Sequence, residues 1–173
     1  GHTGFKGSWL SFWLNNLGAK VIGISNEIPT NPSNFKAIRL NKDIKSLFLD
    51  IRDLNKIKKI IKFYKPDYIF HLAAQPLVRK SYNEPLKTFS TNAIGTLNVL
   101  ESLKVIKKKC TVVLITSDKS YKNLELKRGY KENDILGGVD PYSASKASAE
   151  IIIQSYFHSY FKKNKKISIG VAR

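Results

Sequence analysis

A single cysteine, Cys110, among 173 residues excludes an internal disulfide and any cysteine-based metal cluster. At the start of an apolar run, it reads as a buried strand residue. No apolar run approaches the about 20 residues that a membrane-spanning helix needs, and no signal peptide is visible. A reducing cytoplasm is the default compartment. Acidic residues are scarce: 13 Asp and Glu against 30 Lys and Arg leave a formal charge of +17. Clustered cations would suit nucleic acid or a membrane surface, but here most are dispersed. The two short runs, residues 107–109 and 162–166, follow apolar periodic segments and read as solvated helix ends. Aromatics interleaved with arginine for base stacking are absent. The reading therefore carries no nucleic-acid and no membrane partner, and assigns the positive field to a polyanionic cofactor or a phosphorylated substrate. His2 and His158 are too far apart in sequence and pattern for a metal site, so no metal is expected.

What is present is a regular alternation of helix and strand patterns. Apolar positions 9, 10, 13, 14 and 17 predict a helix from Ser8 to Leu17, stopped by Gly18. Val21 to Ile24 reads as a short buried strand, residues 29–34 as a loop rich in breakers, and Ser46 to Leu49 as a strand ending at Asp50. Asp53 caps a predicted helix to about Tyr64, and Tyr68 to Leu72 is a strand. After a loop holding Pro76 and Pro85, a long helix covers roughly Leu86 to Val105, and Thr111 to Thr116 is a continuous apolar strand. A loop rich in glycine and charge, residues 118–139, leads to Asp140-Pro141, the N-cap and first position of a helix to about Phe161. Repeats and low-complexity linkers are missing. The pattern predicts an α/β fold, a doubly wound parallel sheet with helices on both faces, in one domain of residues 1–173. Gly1 is already the first glycine of a loop that should follow a strand, and the apolar stretch 167–172 runs uncapped to Arg173. The chain reads as a fragment, truncated at both ends, of a longer protein.

Gly1, Gly4 and Gly7 fall where a strand turns into a helix. Each can serve differently, in the sharp bend, in close approach of a pyrophosphate to the helix N-terminus, and in helix packing. The carboxylate expected about 20 residues on, for an adenosine ribose, is replaced by Ser25-Asn26-Glu27. Either the Ser25 hydroxyl and Asn26 amide do that work or Glu27 reaches back. Asp50-Ile51 offers one polar and one apolar contact for an adenine edge, or caps a turn. His71 reads as a satisfied core histidine, while Ala73 and Ala74 leave room for a planar cofactor. Tyr142 and Lys146, four residues apart, share one helix face, where the cation eases the phenol's ionisation and makes the pair a candidate proton shuttle.

Taken in order, the glycine loop, His71-Leu72-Ala73-Ala74, residues 91–96, residues 116–119 and Tyr142-Ser143-Ala144-Ser145-Lys146 resemble the extended short-chain dehydrogenase/reductase family across essentially the whole chain. Within it, residues 1–10, 29–33 and 75–79 and Ser117-Asp118-Lys119 resemble the CDP-glucose 4,6-dehydratase branch. The resemblance implies a Rossmann-like domain binding NAD through Gly1, Thr3, Gly4, Phe5, Lys6, Gly7, Ser25, Asp50, Ile51, Leu72, Ala73, Ala74, Asn92, Tyr142 and Lys146. It also implies a substrate domain beyond residue 173, CDP-glucose as the nucleotide-sugar substrate, and a homodimer. Tyr142, helped by Lys146, would take the 4-hydroxyl proton, Ser117 would bond the 4-oxygen, and Asp118 would protonate the leaving 6-hydroxyl. Related dehydratases usually read Thr-Asp-Glu where this chain reads Ser117-Asp118-Lys119. The base at sugar carbon 5 stays open between a water and Lys119, an ammonium that could act only if burial or neighbouring cations stripped its proton. A nucleotide-sugar 4-epimerase and a non-catalytic NAD-binding module are the alternatives, and Asp118-Lys119 argues against the epimerase, which needs no acid at carbon 6. In the strand order 3-2-1-4-5-6 a strand before Gly1 is central. Residues 1–173 alone are expected to be unstable or inactive, and a cooperative melt together with NAD affinity would contradict that.

Overall fold

The computed structural model describes all 173 residues, Gly1–Arg173, and they form two compact units, Gly1–Ile51 and Arg52–Arg173. In the first unit, α1 (Phe5–Asn16) starts three residues earlier than its apolar spacing predicts, because Gly4 is already the extended N-cap at φ −72° and ψ 169°. The helix therefore takes Gly7 into its first turn. A Cβ on Gly7 would lie 2.0 Å from the Gly1 carbonyl oxygen, so this residue permits the closest backbone approach in the loop. Gly18, at φ 83°, ends the helix, its N–H bonding back to the Asn15 carbonyl. Then come β1 (Ile22–Ser25), α2 (Asn34–Ala37) and β2 (Lys45–Phe48), with β1 and β2 parallel and Ile22 opposite Lys45. The breaker-rich loop gives way to α2 because the Ser33 hydroxyl caps it, accepting the Lys36 N–H at 3.3 Å. Phe35, Leu40 and Ile44 form the small core, with Phe12, Val21, Ile28 and Ile38 packed around it.

The second unit opens with α3 (Leu54–Tyr64), capped as predicted by Asp53, whose carboxylate accepts the Lys56 N–H at 3.0 Å. There follow β3 (Tyr68–His71), α4 (Val78–Asn83), α5 (Pro85–Phe89), a π turn at Ser90–Ile94, and α6 (Gly95–Leu103). Next are β4 (Cys110–Ile115), a 3-10 turn at Asp118–Ser120, α7 (Pro141–Tyr156), a second π turn at Phe157–Phe161, and β5 (Ile167–Ala172). The expected long helix is thus segmented, and α4 occupies part of the expected loop. Asp140 caps α7, accepting the Ser143 N–H at 3.0 Å, with Pro141 first in the helix. The sheet order is β3-β4-β5, every pair parallel. Val99, Leu100 and Leu103 of α6 and Ile153 of α7 close over Cys110, Val112 and Leu114 of β4. Helices connecting parallel strands are the α/β architecture the sequence predicts.

His71 is the buried core histidine expected, its Nε2 3.0 Å from the Thr96 hydroxyl. Burial, helped by the nearby Lys146 ammonium, pushes its pKa down to about 3. Leu100 is fully buried. Leu100→Ala should cost about 2–5 kcal/mol in urea unfolding. Because the unfolded imidazole takes a proton near pH 6.5 and the folded one only near 3, the contribution of neutral His71 is intact above pH 6.5 and is lost as pH falls toward 3. Melting temperatures recorded across that window should fall less steeply in His71→Gln than in the parent protein.

Candidate functional site

In the first unit, the glycine loop supplies the elements of an anion cradle. Gly4 has an ordinary φ, and a Cβ there would meet only the Gly1 oxygen, at 3.5 Å. Neither backbone nor packing thus requires glycine at this position, and the missing side chain leaves room in front of α1. The first-turn N–H groups of a helix lack intrahelical acceptors and favour negative charge. α1 places no acidic residue there and adds the exposed Lys6. These features fit a dinucleotide's pyrophosphate.

Two residues expected on the cofactor also hold the loop together. Thr3 is buried, its hydroxyl donating to the Glu27 carbonyl at 2.6 Å and its N–H to the Ser25 hydroxyl at 3.3 Å. Ser25 is buried as well. Both tie the glycine loop to the end of β1, and the exposed Asn26 and Glu27 follow in sequence, open to a ribose. Asp50 is half-buried after β2, and Ile51 beside it is buried. His2 is buried too, its Nε2 3.0 Å from the Ser46 hydroxyl, and burial lowers its pKa to about 4.

In the second unit, Tyr142 and Lys146 lie one turn apart at the start of α7, the tyrosine half-buried and the lysine only 7% exposed. A buried ammonium one turn behind a phenol is the arrangement a proton shuttle needs. The Tyr142 N–H is held by the Ser81 hydroxyl at 3.1 Å, which docks α4 on the helix start. Ser145 donates back to the Tyr142 carbonyl at 2.6 Å and accepts from the Asn92 amide at 2.9 Å. Asn92 also donates to the Gln75 carbonyl at 3.1 Å and accepts the Gln75 N–H at 2.8 Å. Both amide protons are spent within the protein, and Asn92, expected to contact the cofactor, fixes the strand-end segment to α7. Leu72, Ala73 and Ala74, all half-buried, precede that clamp. Sequence reasoning missed Gln75 as its centre; a glutamine amid apolar and small residues was the available signal.

At the end of β4, Ser117 caps the 3-10 turn, accepting the Lys119 N–H at 3.1 Å and donating to Asp118 at 3.2 Å. Asp118 and Lys119 form an ion pair at 3.1 Å with side chains 73% and 63% exposed. The Lys119 hydrogen bond, the largest cause, and the Ser117 bond hold the Asp118 carboxyl below its ordinary value against some desolvation. The burial or cationic setting that a lysine base needs is absent around Lys119, which is exposed and paired with a carboxylate. The turn packs against α7. Sequence reasoning also missed Glu150, although a carboxylate four residues beyond Lys146 on a small-residue helix face was visible.

The chain is 50% identical over 161 residues to the CDP-glucose 4,6-dehydratase of Salmonella typhimurium, covering 93% of this chain and 45% of that protein. The chain spans about half the length of the curated relatives it matches. Among solved structures, the UDP-glucose 4-epimerase of Thermotoga maritima with UDP-glucose superposes with a TM-score of 0.84 at 27% identity, covering 100% of this chain and 53% of that one. The Thermus thermophilus UDP-glucose 4-epimerase complex with NAD gives 0.78 at 26% identity, covering 92% and 50%. The family described as GDP-mannose 4,6 dehydratase matches residues 1–165, and the chain belongs to that family, within the extended short-chain dehydrogenases/reductases.

Proposed function

We propose that the protein is an NAD-dependent nucleotide-sugar 4,6-dehydratase, a hydro-lyase converting CDP-glucose to CDP-4-keto-6-deoxyglucose and water. It acts as a cytoplasmic homodimer supplying deoxysugars for surface polysaccharide such as lipopolysaccharide. The observation that carries the reading is Asp118, a carboxylate on a turn packed against the helix of Tyr142 and Lys146, in a chain half identical to a CDP-glucose 4,6-dehydratase. NAD, when bound, would supply the hydride chemistry at sugar carbons 4 and 6. The glycine loop and α1 would hold its pyrophosphate.

Tyr142, one helical turn from Lys146, takes the 4-hydroxyl proton while Ser117 bonds the same oxygen. The resulting ketone acidifies carbon 5. Because Lys119 is exposed and paired with Asp118, a water that it positions, and not its own ammonium, removes the carbon 5 proton, and Asp118 protonates the departing 6-hydroxyl, which leaves as water. Protonation at carbon 5 completes the product, so the net loss is one water. Asp118 must first take a proton from solvent, to which its side chain is open, and leave Lys119. An exposed pair of this kind is worth under about 1 kcal/mol, so substrate entry can separate it at little cost.

The complete protein incubated with CDP-glucose and catalytic NAD should yield a product lighter by one water in mass spectrometry. An isomer of unchanged mass would select the 4-epimerase reading, and no turnover of any glucose nucleotide would reject the enzyme. Asp118→Asn should retain NAD affinity yet lower dehydration by about 10²–10⁴. Tyr142→Phe should lose a similar factor at the earlier step, so that, unlike Asp118→Asn, it shows no reduced-nicotinamide absorbance with substrate present.

A further inference from the structure

Glu150 lies on α7 four residues beyond Lys146 and eight beyond Tyr142, along the face that carries the shuttle. It is 1% exposed. Arg173, the residue after β5, grips it with two parallel bonds, Nε to Oε1 at 2.9 Å and Nη2 to Oε2 at 3.0 Å. Thr116 donates its hydroxyl to the same Oε1. The Arg173 Nη1 donates to the Tyr121 hydroxyl at 2.5 Å and to the Glu132 carbonyl at 2.9 Å, and the guanidinium carbon lies 5.0 Å from the Tyr121 ring centroid. Thr116 immediately precedes Ser117, and Tyr121 immediately follows the 3-10 turn. Both flanks of the acid-bearing segment are therefore tied to one ion pair on the shuttle helix.

Stability alone does not account for this arrangement. Desolvating two charges offsets most of their attraction, and apolar replacements of buried pairs are often as stable. A bidentate arginine-carboxylate pair adds direction instead. Asp118 needs direction from outside, because its own side-chain partners, Ser117 and Lys119, are its neighbours in sequence and move with it. We propose that the Glu150–Arg173 pair is a positioning device for the elimination step, orienting Asp118 relative to Tyr142 through Thr116 on one side and Tyr121 on the other. The inference rests on the dehydratase reading of the same site. Misplacing a reacting group by about 1 Å costs on the order of 100-fold in rate, so the ties at 116 and 121 have a measurable share of the turnover.

The test uses the complete enzyme and three variants that keep the packing shape. Thr116→Val removes one donor, Tyr121→Phe removes one acceptor but keeps the ring beneath the guanidinium, and Thr116→Ser keeps the hydroxyl. At saturating CDP-glucose, Thr116→Val and Tyr121→Phe should each lower kcat about 10- to 100-fold. KM should stay within about twofold, and Thr116→Ser should turn over like the parent. Reduced-nicotinamide absorbance should build up on the two impaired variants, because oxidation at carbon 4 proceeds while elimination lags. Amide hydrogen exchange should accelerate at residues 117–121 and stay unchanged in α7. A kcat within twofold of the parent would overturn the proposal, as would a slowed variant with no reduced nicotinamide, since both halves of the reaction would then suffer equally. A parent enzyme inert toward every glucose nucleotide would instead remove the dehydratase reading, and this inference with it.

Discussion

Parallel pairing of β3, β4 and β5 is the constraint on which the second unit depends. The register sets His71 opposite Leu114 and Ile115 opposite Ala172, so all three strands finish along one edge. Residues 72–75, 116–119 and 173 therefore leave the sheet side by side, although they are remote in the chain. Carboxyl ends gathered on one edge are where open α/β sheets place their ligand sites. The pairing in turn requires apolar cover, which α6 and α7 supply through Leu100, Leu103 and Ile153. Burying Ile153 and Ala149 fixes the rotation of α7 and with it the direction in which Tyr142, Lys146 and Glu150 point.

A second layer of order is polar and buried. Thr96 donates to the Asn92 carbonyl at 2.7 Å, Asn92 bridges Gln75 and Ser145, and Gln75 reaches Thr88 at 2.9 Å. Each of these groups is buried, so each would cost about 1–3 kcal/mol if left without its partner. Such a series specifies one arrangement more sharply than apolar packing does, since it tolerates no rotation of any member. Asn92 is set in this network by the π turn Ser90–Ile94, a widening that commonly marks functional positions in helices. The two ends of the network meet the elements proposed for chemistry: Gln75 after the alanines, and Ser145 between Tyr142 and Lys146.

Much of the fold was legible because the deciding chemistry is local. Asp53 and Asp140 cap their helices as their sequence positions indicate, and the apolar run 111–116 is a central strand buried on one face, shifted by one residue. The start of α1 was misread because Gly7 looks like a loop residue until the backbone crossing it permits is seen. Within the site, the shared face of Tyr142 and Lys146 followed from helical spacing alone. The internal ties of Thr3, Ser25 and Asn92 did not, because no local pattern shows which distant group in the protein each will reach. Lys119 stands in the same class: its place beside Asp118 was evident, its exposure was not.

Sequence alone determined the alternation of helices and strands, their caps, the glycine turn before α1 and the tyrosine-lysine spacing on α7. These are consequences of periodicity and of backbone chemistry acting over a few residues. Only the tertiary structure decided which polar groups are spent within the protein, that Asn92 clamps Gln75 to α7, and that Glu150 meets Arg173 between Thr116 and Tyr121. Those outcomes depend on strand register and helix rotation, which bring distant segments together, and no local pattern records which distant atom a donor will reach.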